Sequence, residues 1–306
     1  MLDTRWMSSR GTFGPDPDLG KTISCVPRLK SLHVWRATPN LNCADNPKLT
    51  TLRIQIMEIG EWINWNAVSC SAQAVHIGFE FYHGAFSKYR HRDARAGVRS
   101  FFAGLTNCGS LYLTAPDKSH SAYERRYSTD ERSSCLRDYF HDALEPLVST
   151  LETFSLDVTD WDSHDYLRNI MPASSLRAFT RLKHAVVPIG FLSAVENVLT
   201  FFPPSIETVE IVHTHDWDRD PIDDSLLPLA PFFESAPGLP LLRWVAVYKR
   251  PNSLERHEGF RLQMEELGAL LGKMNIAFGL YDLSEYPKLS SRSEWKGGGI
   301  WESSIC

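Results

Sequence analysis

The sequence lacks most of the features that mark secreted, membrane-spanning or nucleic-acid-binding proteins. No apolar run approaches the roughly 18–20 residues that a membrane-spanning helix needs, and the first residues lack the continuous apolar segment of a signal peptide. It has no N-x-S/T glycosylation site. The net charge is −5, whereas non-specific nucleic-acid binding requires a basic surface. We therefore expect an intracellular protein, cytoplasmic or nuclear, that binds neither membranes nor nucleic acid.

Signatures of catalysis and metal binding are also missing. The six cysteines are scattered without a C-x-x-C pair, which is not the spacing of a zinc ribbon. No G-x-S-x-G motif or catalytic cysteine signature is present. The P-loop-like stretch from Gly14 to Thr22 contains two prolines, which cannot donate backbone hydrogen bonds to a phosphate. We predict no enzyme activity, no catalytic residue, no cofactor and no bound metal.

What the sequence does contain is one short apolar phrase that recurs along the chain. The phrase is L-x-x-L-x-L, with apolar residues at positions one, four and six. Positions four and six face the same side of a β-strand, and such a phrase recurring every few tens of residues is typical of leucine-rich repeats. The eight phrases begin at Leu29, Leu49, Ala72, Cys108, Leu151, Leu182, Ile206 and Leu242, and a ninth apolar run spans Ile276–Leu280.

The spacing of the phrases predicts an irregular array. Successive first residues lie between 20 residues apart (Leu29 to Leu49) and 43 residues apart (Cys108 to Leu151), whereas regular leucine-rich repeats have about 20–29 residues. Apolar residues at helical spacing predict helices at about 91–105, 131–147, 163–171, 189–202, 223–235 and 254–273.

A helix that links two strands of the same direction forms a right-handed crossover, and the strands then make one parallel sheet. The predicted fold class is α/β: an irregular leucine-rich-repeat-like solenoid with parallel strands on its concave face and helices on its convex face. We expect a flexible leader at 1–24, one solenoid domain at 25–289 and a flexible tail at 290–306.

Two longer motifs resemble a known family. The segment 176–188 reads L-R-A-F-T-R-L-K-H-A-V-V-P, and 202–211 reads F-P-P-S-I-E-T-V-E-I. They resemble the C-terminal region of fungal F-box proteins with leucine-rich-like repeats. In that family the repeats capture a substrate for a ubiquitin ligase, while an N-terminal F-box binds a Skp-type adaptor. The resemblance implies a protein partner. Because no F-box-like segment precedes the first phrase, we do not expect this chain alone to bind the adaptor.

The phrase also predicts which residues line the concave face, here called the strip. Position five lies between two buried residues, and position seven follows the phrase. Arginine and aromatic residues among them suit protein recognition. The predicted partner-binding residues are His33, Trp35, Arg53, Gln55, His76, Tyr112, Ser155, Asp157, Glu210 and Tyr248.

A repeated D-W-D sequence supplies the strand-end loops. Asp160-Trp161-Asp162 and Asp216-Trp217-Asp218 each follow a predicted strand. We expect Trp161 and Trp217 to pack in these loops while the aspartates cap the following turns.

An alternative is a hydrolase or metal-dependent enzyme that uses Asp216 with His213 and His215, because histidine and aspartate bind divalent metals. A third possibility is a truncated gene product without retained activity.

Overall fold

The computed structural model describes residues 2–3, 28–36, 43, 46–58, 69–80, 91–114, 143–157, 175–192, 195, 197–212, 229–249 and 258–283. Leu2–Asp3 is the described part of the predicted leader, and it pairs in parallel with Leu32 and His33. The predicted tail at 290–306 lies outside the described residues.

The described residues form one ten-stranded sheet in which every pairing is parallel. The strands follow one another across the sheet in the order of the chain, so each strand pairs with its neighbours in sequence. The prediction of an α/β protein with a parallel sheet is therefore confirmed. The strands are β1 (Leu2–Asp3), β2 (Ser31–Arg36), β3 (Thr51–Glu58), β4 (Ala74–Glu80), β5 (Ser110–Thr114), β6 (Thr153–Asp157), β7 (His184–Pro188), β8 (Thr208–Val212), β9 (Trp244–Lys249) and β10 (Ala277–Asp282).

Two of the described helices lie where the periodicity predicted long helices, and the other three are short. They are α1 (His91–Ala103), α2 (Ile189–Leu192), α3 (Val198–Phe201), α4 (Leu229–Phe233) and α5 (Glu258–Lys273), with 3-10 turns at Glu145–Leu147 and Ala236–Gly238. Only α1 and α5 run for more than five residues. The predicted helix at 163–171 lies outside the described residues, as does most of the one at 131–147.

The predicted helix at 189–202 is wrong in its continuity, because the segment forms α2 and α3 separately. Asn197 begins α3, since its side-chain oxygen accepts hydrogen bonds from the backbone N–H groups of Leu199 and Thr200 at 3.1 and 3.2 Å. That geometry is a helix N-cap, which requires a non-helical backbone at the capping residue. In the segment 189–202, the apolar spacing therefore indicates which side chains are buried and does not indicate one continuous helix.

The apolar positions of the phrases align across the sheet. Position four forms an unbroken row from β2 to β10, and the whole row is buried up to β9. The first residues of the phrases are buried beside it. The position-four row is Leu32, Leu52, Val75, Leu111, Phe154, Ala185, Val209, Val245 and Phe278. We call the side of the sheet that carries this row the core face.

The same arrangement of backbone hydrogen bonds, here called the backbone step, recurs where successive strands begin. The carbonyl oxygen of Lys30 accepts hydrogen bonds from the N–H groups of Thr50 and Thr51, at 2.8 and 3.1 Å. The carbonyl of Thr50 does the same for the next strand, and the double bond recurs up to β9, where the Glu207 carbonyl accepts from Arg243 and Trp244. β10 makes a single such bond, from the N–H of Ala277 to the carbonyl of Arg243. Every neighbouring pair from β2 to β10 is thus joined before its strands begin, which fixes the register of the rows.

The last strand is positioned by the end of α5. Asn275 has a φ of 59°, the left-handed conformation that commonly ends a helix. The N–H of Ile276 then donates to the carbonyl of Leu271 at 2.9 Å, a bond that turns the chain back onto the core. β10 begins at the next residue.

Candidate functional site

The structure aligns position five of the phrases in a single row on the side opposite the core face. Neighbouring members are register partners from β2 to β9. Neighbouring side chains on a strand point to opposite faces of the sheet, so position five faces away from the buried positions four and six. The position-five residues of all these strands therefore share one face, which we call the strip face. The row is His33, Arg53, His76, Tyr112, Ser155, Val186, Glu210 and Ala246.

The first half of this row is partly open to solvent. Arg53, His76 and Tyr112 are each partly exposed, and they occupy the neighbouring strands β3, β4 and β5. The rings of His76 and Tyr112 stack with centroids 4.4 Å apart and planes 14° apart. His33 is nearly buried, and its register partner on the outer side is Asp3. The open half therefore presents a guanidinium beside two stacked rings.

The second half of the row is buried. Ser155 is 2% exposed, Val186 0%, Glu210 6% and Ala246 0%. Tyr248, at position seven of its phrase, is also only 6% exposed. The prediction that Ser155, Glu210 and Tyr248 meet a partner directly does not fit this burial, because a buried side chain offers little surface to a second protein.

A second hydrophobic cluster explains the change along the row. It is separate from the main core and lies on the strip face of β7 to β10. Both faces of the sheet therefore carry buried apolar residues in this half, as is usual for parallel sheets. The cluster contains Val186, Val212, Ala246 and Tyr248, with Trp244, Tyr281 and Leu283 packed against it.

Three aromatic rings of this cluster pack together on β9 and β10. Tyr281 stacks on Tyr248 at 5.4 Å and meets the edge of Trp244 at 6.5 Å. The Tyr281 ring lies over Gly279, where an added Cβ would come within 2.4 Å of the ring. Glycine is therefore required at this position for the ring to fold back along its own strand.

A histidine and a carboxylate lie in close contact on the strip face. His184 Nε2 lies 2.6 Å from Glu210 Oε1. Glu210 stands in the row between Val186 and Ala246, which are both fully buried. A buried carboxylate is costly unless a donor satisfies it, but His184 Nε2 makes no hydrogen bond among the described residues despite this proximity.

Charged residues at position two form ion pairs with one another just before the strands in the second half of the sheet begin. Lys183 Nζ lies 3.4 Å from Glu152, which Arg181 also binds, and Arg243 lies 2.6 Å from Glu207. The Lys183 ammonium, together with the Arg181 guanidinium, holds the pKa of Glu152 below its usual range. Opposite charges thus neutralise one another at this edge.

The described cysteines are buried thiols rather than a site. Cys43, Cys70 and Cys108 are at most 1% exposed and unpaired. A hydrogen bond between the first two thiols raises the pKa of Cys43 and lowers that of Cys70, and burial raises the pKa of Cys108 to about 12. Within the described ranges, no group of three or more His, Cys, Asp or Glu side chains is arranged to hold a metal ion.

Several predicted residues lie where the structure describes less. The backbones of Trp35, Gln55 and Asp157 belong to β2, β3 and β6, but their side chains lie outside the description. The loop residues Trp161 and Trp217 lie outside the described residues altogether. So does the alternative metal or hydrolase site at Asp216, His213 and His215.

Sequence reasoning missed the second cluster, although a signal for it was present. β7 contains Ala185-Val186-Val187 and β9 contains Val245-Ala246-Val247. A continuous apolar run, rather than an alternating one, is typical of a parallel strand that is buried on both faces. The continuous runs of β7 and β9 thus indicate burial on both faces of those two strands, whereas Ser155 on β6 and Glu210 on β8 are buried without such a run.

Comparisons with known proteins add no relative to this description. No protein-family model matches the chain, and no curated protein or solved structure matches it either. In the part of the chain that the structure describes, every helix is too short or too polar to cross a membrane.

Proposed function

We propose that this chain is an irregular leucine-rich-repeat-like solenoid that acts as a non-catalytic protein-recognition module. The recognition surface is the open half of the strip, centred on Arg53, His76 and Tyr112. The observation that carries the proposal is the alignment of these three partly exposed side chains on neighbouring strands.

The repeated backbone step supports the solenoid part of the proposal. The same double hydrogen bond to one carbonyl recurs although the phrases are separated by 20 to 43 residues. A chain that adds one parallel strand per repeat, always beside the previous one, builds a quasi-one-dimensional stack. Such stacks present long, continuous surfaces that commonly bind other proteins.

The chemistry of the open half supports recognition rather than catalysis. Arginine and tyrosine are enriched among the residues that dominate protein interfaces. Their backbones are fixed by the sheet, so little backbone conformational entropy remains to be lost when a partner binds. The His76 and Tyr112 rings hold each other in place by stacking.

The resemblance to fungal F-box proteins suggests the role that such binding would have. In those proteins the repeats hold the substrate of a ubiquitin ligase. We propose the same task for these repeats: to capture a protein that is then handed to other machinery. Arg53, His76 and Tyr112 would then contact the captured protein.

Photo-crosslinking tests this proposal. We expect p-benzoylphenylalanine placed at Arg53, His76 or Tyr112 to crosslink the same cellular protein, identified by mass spectrometry. The reason is that all three positions lie within two strand steps, about 10 Å. One partner segment would cover them together.

The matched controls are the exposed positions Leu262 and Ala269 on α5. We expect neither to crosslink that protein. Equal crosslinking from α5 and the strip, or three unrelated proteins from the three strip positions, would contradict the proposal.

A further inference from the structure

Two buried cysteines lie side by side in the segments that lead into β3 and β4. Cys43 precedes β3 and is 0% exposed, and Cys70 precedes β4 and is 1% exposed. Burial keeps both thiols from binding a ligand in solution. It does not keep two adjacent thiols from reacting with each other, so their relative placement decides what they can do.

The backbone places the two cysteines in neighbouring coils of the chain. The N–H of Cys43 donates to the carbonyl of Ser69, the residue before Cys70, at 2.8 Å. The next coil repeats the pattern, since the N–H of Cys70 donates to the carbonyl of Gly104 at 2.9 Å and Cys70 forms a parallel bridge with Leu105. Residues paired in this way lie about 4.8 Å apart, and a disulfide requires Cα atoms about 4.4–6.8 Å apart.

The two thiols also contact each other directly. The Cys43 thiol donates a hydrogen bond to the Cys70 sulfur, which lowers the pKa of Cys70 and raises that of Cys43. A lowered pKa means a stabilised thiolate, and the thiolate is the reactive form of cysteine. The Cys108 thiol instead donates to the carbonyl of Ser110 at 3.5 Å. Cys70 is therefore placed as a nucleophile with Cys43 as its immediate neighbour.

We infer that Cys43 and Cys70 form a reversible internal disulfide when hydrogen peroxide oxidises the protein. The Cys70 thiolate attacks one peroxide oxygen, which breaks the O–O bond, releases hydroxide and leaves Cys70 as a sulfenic acid. The Cys43 sulfur then attacks the Cys70 sulfur and displaces the hydroxyl group, which leaves as water with the Cys43 proton. The released hydroxide takes up the proton that Cys70 had lost, so two thiols and one peroxide give one disulfide and two waters.

Burial slows this reaction without changing its product. Oxidation of a thiol becomes slower as the thiol becomes less exposed, so we expect the pair to react through brief local openings of the first repeats. Once Cys70 is oxidised, Cys43 is already beside it and reacts before a thiol in solution can. The bond would then tie the segment before β3 to the segment before β4.

Peptide mapping of the full, folded chain tests the inference. The protein is treated with hydrogen peroxide, blocked with N-ethylmaleimide in urea and digested with trypsin without reduction. Cys43 then lies on the peptide 37–48 and Cys70 on the peptide 54–88, each of which contains a single cysteine. We expect these peptides to be joined to each other at least about tenfold more often than to any other cysteine peptide, because the fold holds the thiols together. Dithiothreitol should separate them.

The matched variants are Cys43→Ala and Cys108→Ala, which each remove one fully buried thiol from the main core. We expect Cys108→Ala to keep the link between Cys43 and Cys70. In Cys43→Ala, Cys70 lacks its partner and should proceed to sulfinic acid. Oxidation should raise the Tm of the natural chain and of Cys108→Ala by about 5 °C, since a disulfide restricts the unfolded chain, and should not raise that of Cys43→Ala.

Three mapping results would overturn the inference: both peptides still carrying maleimide after prolonged oxidation, Cys70 joined chiefly to another cysteine, or equal yields of the link in folded protein and in protein oxidised in urea. A natural chain whose Tm stays the same or falls when the link forms would also contradict it, because the bond would then strain the fold. The proposed recognition function is tested separately, since none of these readouts involves a partner protein.

Discussion

Replacing Phe154 with alanine is expected to lower the free energy of unfolding by about 3–5 kcal/mol, the usual cost of removing a buried phenylalanine ring. Phe154 is fully buried in the position-four row, with Leu111 and Ala185 as register partners. Alanine already fills position four in the next strand, so the variant would place two small residues side by side. The cavity left in the main core beside the sheet would then be large. Denaturant unfolding followed by circular dichroism measures the loss.

Phe278→Ala is the matched control, because Phe278 occupies the same row at the other end. It is only partly buried on the last described strand and packs against the main core, where Gly268 of α5 leaves room for its ring. We expect a loss of about 1–2 kcal/mol, since only part of the ring is removed from water. If both variants lost the same free energy of unfolding, the position-four row would not be a continuous core that becomes exposed only at its last strand.

Val186→Glu is expected to destabilise the protein by about 3 kcal/mol or more, the range found when a buried charge has no partner. Val186 is fully buried in the strip row, and its register partner on β8 is Glu210. A new carboxylate there would be desolvated and would lie beside the existing carboxylate of Glu210. Soluble expression, thermal melting and denaturant unfolding check this result.

The control for Val186→Glu is His76→Glu, in the same row and on the same face but in the open half. Its cost is expected to be about 1 kcal/mol, mainly the lost stacking on Tyr112. If His76→Glu were as harmful as Val186→Glu, the distinction between an open half and a buried half would be wrong.

The strands and their register could be predicted because the phrase encodes them directly. Positions four and six must lie on one side of a strand, so Leu111 and Leu113 define a core face and Tyr112 must lie opposite. Once the strands pair in sequence order, the position-five residues align without further information. The alignment of Arg53 with His76 follows from this local rule.

The helices were predicted less well because apolar spacing does not distinguish a helix from a succession of tight turns. Glu258–Lys273 forms a true helix within the predicted range. At 189–202, however, the same spacing occurs in a segment that forms two short helices, the second of which begins after Asn197. The local signal for the break was Asn197, a preferred N-cap residue, which apolar spacing alone does not take into account.

Burial on the strip face was the least predictable part of the candidate site. Exposure of a position-five side chain depends on residues far away in the chain, which the phrase does not encode. The local signal was the apolar character of Val186 and Ala246 themselves. By contrast, the His184–Glu210 pair joins position three of one phrase to position five of the next, so it becomes recognisable only when β7 and β8 are placed side by side.

Distances between spin labels test the central claim, that successive phrases add one parallel strand each to a single sheet. Nitroxides on p-acetylphenylalanine at Thr51, Thr153, Thr208 and Ala277 would all occupy position three, on β3, β6, β8 and β10. With strands about 4.8 Å apart, the backbone separations from Thr51 should rise in order to about 14, 24 and 34 Å. A separation that fails to grow with strand number, such as Ala277 lying nearer to Thr51 than Thr208 does, would contradict the account.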